Sequence, residues 1–238
     1  MPGRFIVLEG IDSSILADEA EQLARWVRTE GQSFVITREP TDGPLGAQLR
    51  ALLNGRLSVP EYAKALLFAA DRLDHYEGLP SEEIGFENKS KPDAGLDPEN
   101  KPKPSKTPSV KYGIKYDLEA GRFVISVRYL LSAYAQFSEQ VSLDWLMKIN
   151  ALSTWPDLTI FIDVPVDVVL TRQIKEHGYD KDKVEDARED LVRQRKNYLD
   201  AIASLKEKDF PVEVIESDSL TVIHRNCIRL LTQRFGME

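Results

Sequence analysis

Five short runs of β-branched and aromatic residues punctuate the chain, at residues 5–8, 34–37, 123–126, 158–164 and 212–215. They are almost continuously apolar rather than alternating, as expected of strands covered on both faces. Elsewhere apolar residues recur at helical spacing, over 18–30, 44–54, 60–76, 130–152, 166–177, 184–208 and 220–235. Strands alternating with helices predict a five-stranded parallel sheet between two helical layers, an α/β class with α/β/α layering. No internal repeat is visible, and the 238 residues read as a single domain.

One segment breaks this rhythm. Residues 81–117 hold five of the thirteen prolines, show almost no apolar periodicity, and carry charges that nearly cancel. They read as a long mobile surface excursion inserted between a helix and the third strand. Either a tolerated insertion or a partner-binding or lid element fits that pattern.

Composition narrows the function classes. A net charge of −8 argues against a general nucleic-acid or acidic-membrane binder. The single cysteine, Cys227, rules out an internal disulfide and suits a reducing cytoplasm. It lies in the helical pattern TVIHRNCIRLL and reads as a packed apolar residue. No apolar run approaches the ~20 residues that a membrane span needs, and the N-terminus lacks a signal-peptide pattern. His75, His177 and His224 are far apart and lack metal-site spacing.

Candidate chemistry begins after the first strand. The order strand, Gly10, helix is that of a phosphate-binding P-loop, G-x-x-x-x-G-K-[ST]. In that register the loop would be Gly10, Ser13 and Ser14 with their neighbours, but Ile15 stands where the second glycine belongs. Leu16 replaces the lysine and Ala17 the hydroxyl residue. The backbone cradle, the phosphate charge and the magnesium ligand of such a loop are therefore all altered. Asp18 adds a negative charge that suits the helix dipole and would repel a triphosphate.

Several stretches together resemble the thymidylate kinase family of nucleoside-monophosphate kinases: FIVLEGID, VITREPTDGPLGAQLRALL, ALLFAADRLDH, FVISVRYLLSAYA and PDLTIFIDVPVDVVLTR, in family order. The resemblance implies a P-loop NTPase-type fold with a lid and a homodimer.

It also implies an acceptor pocket for a nucleoside monophosphate such as dTMP. Phe68 matches the residue that stacks on the base, and Arg72, one helical turn on, matches one that reaches the monophosphate. Plain core packing would also explain Phe68, and an ion pair with Asp71 or Asp74 would explain Arg72. Arg128 matches a second phosphate-binding arginine, Asp12 a loop carboxylate near the acceptor sugar, and Ser132 a hydroxyl offered to the base. Arg38 and Glu39, in the TREP turn, fall at the carboxyl end of the second strand, where open α/β sheets bind ligands. Arg38 would favour the acceptor phosphate, and Glu39 would act through a metal or water. Any catalytic contribution would fall to Arg128 and Glu39.

On the donor side, the family's D-R-Y aspartate is Val127 here, a further departure beside Ile15, Leu16 and Ala17. Phosphoryl transfer depends on charge positioning. Residues 173–190 have the length of a lid. Arg172, Lys181, Lys183 and Arg188 are its candidate phosphate contacts, though a mixed charge run also describes a solvated helix face.

Three readings follow. The first is a thymidylate-kinase-like protein that binds a monophosphate and transfers phosphate poorly or not at all. The second is an active kinase using ATP and Mg2+ through substitute residues. The third is a non-enzymatic interaction protein on the same fold.

Overall fold

The computed structural model describes residues 3–78, 113–177 and 181–237. Five strands, β1 (Arg4–Gly10), β2 (Phe34–Arg38), β3 (Phe123–Val127), β4 (Leu158–Asp163) and β5 (Val212–Glu216), form one sheet in the order β2-β3-β1-β4-β5. Every pairing is parallel, with Phe5 opposite Val124 and Ile6 opposite Leu158. β1, β3 and β4 are buried almost throughout, which is why their sequences are unbroken apolar runs. The chain leaves β1 toward β2 on one side and later reaches β4 and β5 on the other. The carboxyl ends around β1 therefore form the crevice at which such sheets bind ligands.

The helices are α1 (Ser13–Thr29), α2 (Pro44–Leu53), α3 (Glu61–Glu77), α4 (Ile114–Glu119), α5 (Leu130–Phe137), α6 (Leu143–Ile149), α7 (Val166–His177), α8 (Lys181–Lys206) and α9 (Leu220–Phe235). Three differ from expectation. α1 starts at Ser13 rather than residue 18, because Asp12 caps it and Ile15, Leu16, Ala20, Leu23, Ala24 and Val27 form one buried stripe.

The helix expected over 130–152 is two. α5 stops at Phe137, the Ser138 hydroxyl bonds back to Ala135 O, and Ser142 Oγ caps α6 by accepting from Trp145 N at 3.3 Å. Residues 81–112 of the expected excursion lie outside the described residues. Its last four residues are not irregular: they open α4, which buries Ile114 and Asp117. Gly113 begins it because a Cβ there would lie 2.5 Å from the Glu77 backbone. Of the lid-like segment, residues 178–180 lie outside the described residues; the remainder closes α7 and opens α8.

Candidate functional site

Asp12 fixes the corner after β1. Its Oδ1 accepts from Ser14 N at 2.9 Å, Ile15 N at 3.1 Å and the Ser14 hydroxyl at 2.7 Å. These are the amides that an N-terminal helix turn would otherwise present to an anion. The other carboxylate oxygen faces Arg172 Nε at 3.3 Å, and Arg172 also donates to Ser14 Oγ at 3.1 Å. Ile15 and Leu16, 3% and 1% exposed, point into the core. Gly10 is held against β4, where a Cβ would meet Ile162 O at 2.8 Å. Asp12, expected near an acceptor sugar, is thus a helix cap, and Ser13 and Ser14, expected in a loop, form the first turn of α1.

A second polar cluster ties the β2–α2 connection to α3. Arg72 is buried and donates to Glu39 Oε2 at 2.6 Å, Asn150 Oδ1 at 2.7 Å and Tyr129 O at 3.0 Å. Burial alone would lower its pKa; the Glu39 carboxylate, together with Tyr129 and Tyr134, leaves it raised. Glu39 Oε1 faces His75 Nδ1 at 3.2 Å, and His75 Nε2 lies 2.5 Å from Thr37 Oγ1. Asp71 accepts from Thr41 N at 2.9 Å and from its hydroxyl at 2.5 Å. The turn includes a cis Glu39–Pro40 bond. Gly46 permits it to pass α2, since a Cβ there would meet Thr41 O at 1.9 Å. Both oxygens of Glu39, expected to act through a metal or water, lie against Arg72 and His75 of α3. Arg72 pairs with neither Asp71 nor the solvent, and its charge is spent on Glu39.

The third cluster centres on Glu9, fully buried at the end of β1. Its Oε1 accepts from Tyr129 N at 2.9 Å and Ser132 N at 3.1 Å, and its Oε2 from the Ser132 hydroxyl. It thereby satisfies the free amides at the start of α5. Burial raises its pKa, against the lowering effect of the Ser132 bond and of Arg128. Arg128 follows β3 in a left-handed conformation, φ 67°, which a non-glycine residue adopts at a cost. Its guanidinium donates to Tyr198 OH at 2.9 Å and Ser13 Oγ at 2.8 Å, with Ser132 Oγ at 3.5 Å. The Ser132 hydroxyl bonds Glu9 and Tyr198 at a cavity wall.

A cavity of about 1380 Å³ joins these clusters. Phe68, Arg72, Arg38, Arg128, Ser132 and Ser13 all line it, so the three arginines expected to converge share one space. Phe68 is 7% exposed and meets Phe137 edge-on at 5.7 Å, so it is at once core and cavity wall. Arg38 is exposed and pairs with Asp42 at 3.0 Å. Val127 is at the wall as an apolar residue.

Away from the cavity, Arg188 pairs with Asp167 at 3.1 Å on the surface. Cys227 is buried, and burial pushes its thiol well above the ordinary range, in keeping with a packing role. Among the described residues no cluster of three or more His, Cys, Asp or Glu could hold a metal ion, and no helix is long and apolar enough to cross a membrane.

Sequence reasoning missed Glu9, Tyr198, His75 and Asn150. Glu9 left a readable signal, an acid inside the apolar run FIVLEG. The other three had none, because their partners are distant in the chain.

Residues 8–90 and 106–225 match the family model described as thymidylate kinase. A protein named "Probable thymidylate kinase" from Thermococcus kodakarensis is 30% identical over 245 residues, covering 98% of this chain and 100% of that protein. Another of that name, from Pyrococcus abyssi, is 32% identical over 243 residues, covering 97% and 100%. A crystal structure of thymidylate kinase from Ehrlichia chaffeensis superposes with a TM-score of 0.62 at 22% identity, covering 97% of this chain and 100% of that one. The structure of thymidylate kinase from Candida albicans gives 0.64 at 16% identity, covering 100% and 94%. At these identities the two structures bear on the fold alone.

Proposed function

The chain belongs to the thymidylate kinase family, and we propose that it keeps a pocket for a nucleoside monophosphate such as dTMP while its donor end is closed, so that phosphoryl transfer from ATP is weak or absent. The observation that carries this reading is the capped start of α1. Asp12 occupies the Ser14 and Ile15 amides and Arg172 closes over it. These residues do not suit a triphosphate. The position of the phosphate-spanning lysine is Leu16, packed in the core, and Ala17 offers no oxygen to magnesium. Val127 brings no carboxylate to the end of β3.

The acceptor side rests on the cavity wall. Phe68 offers an apolar face for a base, and Arg128 a planar donor for a phosphate. Arg38, at the mouth, is the more exposed cation. A homodimer rests on the resemblance and on exposed apolar residues of α2 and α3, Leu53, Tyr62 and Leu66. The second reading, an active kinase, is favoured by the names of the relatives.

Calorimetric titration with dTMP and, separately, with ATP and magnesium distinguishes the two. Binding of dTMP alone is expected. Micromolar affinity for ATP–magnesium would favour the active kinase, and absence of binding by either nucleotide would leave a non-enzymatic role.

A further inference from the structure

Arginines are plentiful around the cavity, but nearly all are neutralised from within. Arg38 and Arg50 lie 3.0 and 3.7 Å from Asp42. Arg72 lies 2.6 Å from Glu39, Arg122 is paired with Asp117, and Arg193 lies 3.9 Å from Glu139. Arg128 is different: among the described residues no carboxylate oxygen comes within ion-pair distance of its guanidinium. Its partners are neutral hydroxyls, Tyr198 OH at 2.9 Å, Ser13 Oγ at 2.8 Å and Ser132 Oγ at 3.5 Å.

We propose that Tyr198 and Ser13 are positioning residues for phosphate recognition, holding the Arg128 guanidinium at the cavity wall by neutral groups so that it makes no direct carboxylate contact before an acceptor phosphate arrives. The inference deepens, and rests on, the monophosphate pocket proposed above.

The geometry around Glu9 gives the reason such groups are needed. A fully buried carboxylate and an arginine on neighbouring strand ends would ordinarily collapse into an ion pair. Here hydroxyls stand between them. Ser132 donates to Glu9 Oε2 and lies 2.8 Å from Tyr198 OH, while Tyr129 N and Ser132 N occupy Glu9 Oε1. Glu9 takes its hydrogen bonds from Tyr129 and Ser132, and Arg128 acts on it only through its field.

Tyr198 is well suited to the task. It is 4% exposed, and its ring stacks on Phe161 with centroids 5.0 Å apart. Burial pushes its pKa to about 12, so it stays a neutral donor and acceptor at physiological pH. Because it belongs to α8, it ties the second helix of the lid-like segment to the phosphate-facing arginine. Ser13 holds the other side. Its hydroxyl comes from the first turn of α1. A phosphate entering the cavity meets further N–H groups of the guanidinium that Tyr198 and Ser13 hold in place, and charge-assisted bonds are the stronger ones.

The test compares dTMP with thymidine, which lacks the phosphate, by calorimetry on wild type, Tyr198→Phe and Ser13→Ala. Tyr198→Phe keeps the stack on Phe161, and a thermal melt confirms its fold. Ser13 sits at the exposed start of α1, beside the cap rather than in it, and its variant decides the matter if Tyr198→Phe does not fold. Each variant is expected to weaken dTMP binding about tenfold, the scale of one lost hydrogen bond to a charged group, and to leave thymidine binding unchanged. Unaltered dTMP affinity in both variants overturns the proposal. A parallel loss for thymidine does so too, since it would mark a merely structural role. If wild type binds neither ligand, the pocket reading itself falls, and this inference with it.

Discussion

The Arg72 guanidinium donates to Glu39 Oε2 at 2.6 Å with both side chains almost fully buried. The pair joins the middle of α3 to the turn after β2, and Asn150 and His75 extend its bonding. Removing one partner leaves the other as a buried charge short of a counterion. Arg72→Met or Glu39→Gln should each lower stability by about 3–5 kcal/mol. The double variant should cost less than the sum, because neither orphan then remains. Urea denaturation of the four proteins checks this; additive losses would show that the pair is not an energetic unit.

The Asp12 cap makes a smaller and separable prediction. Asp12→Ala leaves the Ser14 and Ile15 amides without their acceptor. It should lower stability by about 1 kcal/mol. Asp12→Asn retains a capping oxygen and should lose only the contact with Arg172 at 3.3 Å. Denaturant midpoints that fall equally in the two variants would contradict the cap as the main interaction.

Stability should also depend on pH through Glu19. This buried carboxylate of α1 lies 2.9 Å from His224 Nδ1 on α9 and also interacts with the Cys227 thiol. Burial raises its pKa above the ordinary 4.5, with His224 and Cys227 opposing the shift. The folded state therefore binds this proton more tightly than the unfolded chain. The contribution is most favourable below the ordinary value and is lost as pH rises through the folded one. Glu19→Gln keeps an acceptor and removes the ionisation. Its stability should fall less than that of wild type as pH rises from 4.5, measured by melts across that range. Parallel pH profiles would exclude Glu19 as the source.

Much of the fold could be read from pattern, and the failures have physical causes. β1, β3 and β4 were legible because strands covered on both faces need apolar residues at every position. The start of α1 is masked by the loop-like register Gly10–Ala17. Yet Asp12 as cap and Ile15, Leu16, Ala20 and Leu23 as one stripe already described a helix from Ser13. The break between α5 and α6 was hidden by apolar residues that continue across it; Ser138 and Ser142 were its only markers.

The cavity's arginines could be named from the chain, but their states could not. Arg72 looked available because its partner, Glu39, stands 33 positions away. Arg128 is distinguished only by hydroxyls from α1, α5 and α8, which meet in three dimensions.

Restoring the loop is the sharpest engineering prediction. A variant with Ser13→Gly, Ile15→Gly, Leu16→Lys and Ala17→Thr returns the resembled motif, but Ile15 and Leu16 are 3% and 1% exposed in the core. Emptying those sites should cost several kcal/mol, since one buried Leu or Ile truncation costs about 2–5 kcal/mol. A buried lysine adds a further penalty unless the first turn unwinds to release it. The variant should therefore melt well below wild type, and turnover should require Val127→Asp in addition, because groups that act as a unit are not additive. An undiminished melting temperature would mean that the side chains at positions 15 and 16 do not support the core.

The central claim, a monophosphate pocket beside a closed donor end, is tested most directly by steady-state formation of dTDP from dTMP with ATP and magnesium. The protein should be saturated with both nucleotides as far as solubility allows. The account predicts turnover far below the roughly 1–100 per second usual for kinases, with dTMP bound in the same preparation. Turnover within that range would contradict it and require another set of residues to hold the donor phosphates.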